Sequence, residues 1–165
     1  MRGCFLGRTD PPLSDAGRDA ARKLCALQVR SIFVSPLRRA RETAEAIPCD
    51  APRVVLPELA EMDFGDWDGL AWDEIEQRWP GTARRKSEDW FGVTPPGGET
   101  WQSLCDRVDR ALAQIRNAPG PVAVVAHITV NAALAARLRG TDPSTFQQNY
   151  GEVIACDDAL EHSQL

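Results

Sequence analysis

Apolar positions along this chain follow two alternating rhythms. Residues 31–35 (SIFVS), 54–56 (VVL) and 122–126 (VAVVA) are short, nearly unbroken apolar runs. They read as strands, the last of them buried on both faces behind Pro121. Elsewhere apolar residues recur as on one face of a helix. Ser14 caps a predicted helix over 15–29, with Ala16, Ala20, Ala21, Leu24 and Leu27 on one side. Pro36 opens another that runs to residue 47 and buries Leu37, Ala40, Ala44 and Ile47. Thr100 caps a long helix through Trp101, Leu104, Val108, Leu112 and Ile115. Thr129 caps one carrying Ala132, Ala133, Ala136 and Leu138. A short helix over 72–79, a helical turn at 142–146 and a last strand at 152–156 precede a polar tail at 157–165. Residues 57–69 read as an acidic loop, and the turn-rich stretch 80–98 as an excursion or lid. Strands alternating with helices predict an α/β fold on a mostly parallel sheet.

Composition narrows the function classes more than the fold. The 165 residues suffice for one domain with a real core. No apolar run is long enough to span a membrane and no secretory segment is evident. The five cysteines, Cys4, Cys25, Cys49, Cys105 and Cys156, are odd in number and lack metal-site or CxxC spacing. Free thiols and a cytoplasmic location are expected. A net charge of −5 argues against a nucleic-acid binder held by bulk charge. It leaves room for a small anionic ligand on a local arginine cluster. Lys23 and Lys86 are the only lysines, so nearly every cation is a planar guanidinium suited to phosphate.

Three strand ends carry candidate chemistry. His127 lies where the run 122–126 gives way to a helix, the edge at which α/β sheets bind ligands. Alone, it reads as a buried, hydrogen-bonded histidine. Arg39 lies near the start of the helix after 31–35. It is the candidate phosphate clamp of the Arg38, Arg39, Arg41 cluster, because a cation at a helix N-terminus calls for an anion. Arg38 and Arg41 are assigned to solvent. In the loop LPELAEMDFGDWDG, the apolar residues Leu59, Met62, Phe64, Trp67 and Leu70 imply that one carboxyl is desolvated and raised toward general-acid range. Spacing does not choose among Glu58, Glu61, Asp63, Asp66 and Asp68. An Arg, a carboxyl and a His on one sheet edge are the parts of a phosphoryl-transfer site.

The segments GRTDPPLSDAG (7–17), SPLRRARETAEAI (35–47), ELAEMDFGDWDGLAWDEI (58–75), PPGGETW (95–101) and VAVVAH (122–127) resemble, in order, motifs of the histidine phosphatase (phosphoglycerate mutase-like) superfamily. The nearest likeness within it is to α-ribazole phosphatases. The resemblance implies a three-layer αβα domain and metal-independent phosphomonoester hydrolysis through a phosphohistidine, with no cofactor. The implied substrate is a small phosphorylated metabolite such as α-ribazole 5′-phosphate. It makes Arg39 a phosphate ligand, Glu61 the proton donor and His127 the second active-site histidine. It places Gly7 close to substrate and Gly98 and Glu99 on a loop bordering the pocket. Ile128 stands where members usually carry a small residue, and is expected to crowd the phosphate. The family's opening strand and its Arg-His-Gly nucleophile motif have no counterpart here. The chain is therefore expected to lack its first strand, to be truncated at its N-terminus and to be nearly inactive. His162, in the polar tail, does not replace the nucleophile. A mutase of the phosphoglycerate type and a non-catalytic pseudophosphatase stand as alternatives, and a homodimer is left open.

Overall fold

The computed structural model describes residues 3–24 and 28–156. Ser14 Oγ accepts the Gly17 amide at 3.1 Å and starts α1 (Asp15–Arg22), which is shorter than the predicted 15–29 helix. Leu27 of that prediction lies outside the described residues, as does the tail 157–165 with His162. Strand β1 (Ser31–Val34) is followed by α2 (Arg38–Ala46), β2 (Arg53–Val55), α3 (Trp72–Arg78), α4 (Pro80–Glu88), α5 (Trp101–Arg116), β3 (Val122–Val125) and α6 (Ile128–Arg139). The acidic loop contains two short 3-10 turns, Pro57–Leu59 and Gly65–Trp67, and a third lies at Pro143–Thr145.

The sheet is parallel throughout, in the order β2-β1-β3. Val34 pairs with Val55 on one side and with Val125 on the other. The central strand is buried along its whole length, and its side chains alternate between two cores. Ile32 and Val34 pack with Ala40 and Ala44 of α2 on one face. Phe33 packs on the other face with Leu104, Val108 and Leu112 of α5 and Val130, Ala133 and Leu134 of α6. Helices therefore cover both faces, giving the expected three layers. The topology puts β1 between two neighbours reached by different routes. The carboxyl ends of β1 and β3 thus flank a switch point, where α/β sheets hold ligands.

Four local expectations need correction. Residues 152–156 form no strand: a strand needs a paired edge, and Val153 is exposed. Strand β3 is half-buried, not enclosed, because among the described residues it pairs only with β1. The supposed excursion 80–98 contains a packed helix, α4, which uses Pro80 in its first turn and buries Ala83 and Lys86. Thr129 does not cap α6; it lies in the first turn, and His127 occupies the N-cap position without a side-chain capping bond. The other end of α6 stops at Gly140, whose φ of 66° satisfies the left-handed C-terminal position. Thr100 does cap α5, accepting the Ser103 amide at 3.0 Å. No described helix is long and apolar enough to cross a membrane.

Candidate functional site

The connection from β1 to α2 places the arginine. Leu37 stands at the N-cap of α2 and has no side-chain oxygen to offer, so the cap comes from elsewhere. The Asp10 carboxylate accepts the Arg38 amide at 2.5 Å and the Arg39 amide at 3.4 Å. It also pairs with the Arg39 guanidinium at 3.3 Å. The anion that a cation at this helix start calls for is thus supplied partly from within the chain. The same guanidinium donates to the carbonyls of Thr9 at 3.0 Å, Leu6 at 2.8 Å and Gly7 at 3.3 Å. Arg39 therefore holds the 6–10 loop in place while remaining on the cavity wall. Arg38 and Arg41 are exposed, as their spacing implied.

Among the five acids of the 57–69 segment only Glu61 is buried, at 4% exposure. Leu59, Met62, Phe64 and Trp67 are buried around the same turn and exclude water from it. The carboxyl accepts the Met62 amide at 2.8 Å and hydrogen bonds from the Thr129 amide and hydroxyl at the start of α6. Burial pushes its pKa above the ordinary glutamate value, against the opposing pull of those bonds and of the Arg39 charge. Two of the other acids serve the backbone. Asp68 accepts the amides of Gly7 at 2.7 Å and Thr9 at 2.6 Å, and Asp63 accepts that of Gly65 at 2.9 Å.

His127 closes the site from the end of β3. Its Nε2 lies 2.7 Å from Ser35 Oγ, at the end of β1, so the two residues meet across the switch point. Burial, followed by the positive charges of Arg39, Arg107 and Arg8, pushes the imidazole down to about 3. The ring is neutral at physiological pH. Arg39, Glu61, His127, Ile128 and Thr129 line one cavity of about 1560 Å³. From this polar end the cavity continues along the edge of β3 that faces away from β1, past Leu112, Ile115 and Leu134. A guanidinium beside a neutral imidazole and a carboxyl whose pKa is raised by burial has the parts to hold an oxyanion and to pass a proton to a leaving oxygen.

The sequence model of the histidine phosphatase superfamily, branch 1, matches residues 1–156. The chain belongs to this superfamily. An adenosylcobalamin/α-ribazole phosphatase of Escherichia coli is 31% identical over 170 residues, covering 98% of this chain and 83% of that one. Phosphoserine phosphatase 1 of Hydrogenobacter thermophilus is 32% identical over 165 residues, covering 95% and 76%. The crystal structure of an α-ribazole phosphatase from Shigella flexneri superposes with a TM-score of 0.81 at 28% identity, covering 90% of this chain and 79% of that one. The chain spans only 36% of the length of mycobacterial relatives that are 36% identical to it over 138 residues.

The remaining residues singled out from the likeness to histidine phosphatases are arranged differently. Ile128 is 51% exposed at the cavity wall. Gly7, Gly98 and Glu99 do not line the cavity. A Cβ on Gly7 would stand 2.5 Å from the Met62 carbonyl oxygen, and one on Gly98 2.7 Å from that of Asp63. Both glycines thus allow backbone to approach the segment that carries Glu61. Glu99 forms a largely buried ion pair with Arg107, at 2.7 Å, and accepts the Asp63 amide at 3.3 Å. Sequence reasoning missed Arg107, Ser35, Thr129 and Asp10. Ser35 and Asp10 lie within quoted motifs, but the polar face of α5 gave no sign that Arg107 turns inward.

Proposed function

We propose that the pocket of Arg39, Glu61 and His127 is the phosphate-holding and proton-donating part of a phosphomonoesterase site. Its substrate is a small phosphorylated metabolite such as α-ribazole 5′-phosphate, and the reaction passes through a phosphohistidine. Arg39 binds phosphoryl oxygens, and His127 adds a hydrogen bond to them. Protonated Glu61 gives its proton to the ester oxygen as the P–O bond to the leaving alcohol breaks and the bond to the attacking imidazole forms. Water then attacks phosphorus, the P–N bond breaks, and the Glu61 carboxylate takes a proton from that water. The attacking imidazole is none of these residues. Gly7, Gly98 and Glu99 shape the loops around the pocket, and Ile128 narrows its entrance. The observation that carries this reading is the desolvated Glu61 carboxyl sharing one cavity with a guanidinium and a neutral imidazole.

One observation favours the non-catalytic alternative. The Arg39 guanidinium already donates to three carbonyls and to Asp10. Both terminal nitrogens are thus engaged without a ligand, as in a protein that binds phosphate or a partner only weakly. Two measurements on the 165-residue chain test both readings. Inorganic phosphate or orthovanadate should bind, and Arg39→Ala should weaken that binding at least about tenfold. Aryl-phosphate turnover should be a trace, since losing a covalent nucleophile can lower it by on the order of 10⁶. No anion binding would favour the partner-binding reading. Turnover at ordinary rates of roughly 1–10³ s⁻¹, abolished by His127→Ala, would make His127 itself the nucleophile.

A further inference from the structure

We infer that Ser35 is a positioning residue that fixes His127 as the neutral tautomer with its proton on Nδ1, leaving Nε2 blocked and the ring a hydrogen-bond donor to the pocket. The geometry of one hydroxyl carries this. Ser35 is fully buried at the end of β1, with 0% exposure. Its Oγ accepts the Leu37 amide at 3.2 Å and lies 2.7 Å from His127 Nε2. A serine hydroxyl has one proton to give and two lone pairs to receive. Were Nε2 protonated, Oγ would receive from both neighbours, and its own proton would be buried without an acceptor. A buried donor left without an acceptor forfeits its hydration with nothing in return. With Nε2 unprotonated, Oγ receives from Leu37 and gives to Nε2, so the hydroxyl and Nε2 are both satisfied.

The imidazolium is no way out of this choice. It would bring a proton to Nε2 and a charge into a buried site facing Arg39, Arg107 and Arg8. The neutral ring therefore carries its single proton on Nδ1. Two consequences follow for the function proposed above, on which they rest. His127 serves a bound phosphoryl group by donating through Nδ1–H. Its unprotonated nitrogen is the one closed off by Ser35, so the ring does not attack phosphorus. The short connection Ser35-Pro36-Leu37, which turns the Leu37 amide onto Oγ, is what makes the serine commit its proton toward the histidine.

Nitrogen-15 NMR of the histidine side chains tests the assignment without any need for activity. The chain has only two histidines, and His162→Gln identifies the signals of the second. Wild-type His127 should show a pyridine-like Nε2 and a pyrrole-like Nδ1, unchanged between about pH 5 and 8. Ser35→Thr, which keeps a hydroxyl, should preserve that pattern. Ser35→Ala should move His127 toward the Nε2-protonated form or a mixture. A pyrrole-like Nε2 in the wild type would overturn the inference, and this spectrum decides even if Ser35→Ala fails to fold. A folded Ser35→Ala protein with an unchanged pattern would also overturn it. Added inorganic phosphate should shift Nδ1 more than Nε2. The expected tautomer with no phosphate binding would leave the Ser35 assignment standing and count against the function alone.

Discussion

Arg107 and Glu99 meet in a two-point ion pair beneath the Glu61 segment, with Nε–Oε1 at 2.7 Å and Nη2–Oε2 at 2.8 Å. The same guanidinium donates to the carbonyls of Glu58 at 2.5 Å, Ala60 at 2.6 Å and Glu61 at 3.2 Å. One buried side chain thus ties α5 to the turn that aims the Glu61 carboxyl. Removing one partner of a buried pair leaves a charge unmatched. Arg107→Met and Glu99→Gln are each expected to lower unfolding free energy by about 3–5 kcal/mol in urea titrations. Arg107→Lys should not restore it, because an ammonium lacks the fork that spans the carboxylate and three carbonyls.

Glu61 gives a pH signature opposite in sign to that of a salt-bridged carboxylate. Its pKa in the folded chain is raised from 4.5 by burial. Between 4.5 and that higher value the folded state therefore holds more protons than the unfolded state, and stability falls as pH rises through this window. A carbon-13 titration of the glutamate carboxyls should show one resonance with a midpoint above the rest, lost in Glu61→Gln. A Glu61 midpoint at or below the ordinary glutamate value would remove the case for a proton donor.

Lys86 gives a second pH signature, at alkaline pH. It is almost fully buried on α4, donates to the Val93 carbonyl at 2.6 Å, and lies 5.0 Å from the centre of the Trp90 ring. Burial lowers its pKa from 10.5 to about 8. Between those values the unfolded state binds more protons, so stability should climb as pH rises from about 8, by on the order of 3 kcal/mol in full. Lys86→Met should flatten this slope in denaturation curves taken at successive pH values. An equal slope in wild type and variant would assign it to another group.

Hydrogen exchange should separate the strands. β1 is paired on both sides, whereas among the described residues β3 is paired only with β1. Amides of β3 that face away from β1 are expected to exchange faster than any in β1, at rates set by local opening. Equal protection in both strands would show that something covers the free edge of β3 in solution.

Much of the architecture was readable from local pattern. The runs at 31–35 and 122–126, the caps Ser14 and Thr100, and the apolar face of α5 became elements because each depends on neighbours a few residues away. The three strand ends bearing Arg39, Glu61 and His127 were legible for the same reason. Other features were set only by the tertiary structure. Spacing left five acids open and only the family resemblance pointed to Glu61; what sets it physically apart is its burial, since desolvation depends on what packs over a side chain. Asp10 caps α2 from 28 residues away, and Arg107 reaches the Glu58 carbonyl across 49. Ser35 faces His127 across 92. Residues 152–156 have a strand's composition but form no strand, because strand formation requires a partner as well as a sequence. Periodicity records which side of an element avoids water. The partner a polar atom finds there depends on how distant segments are brought together, and only the folded chain decides that.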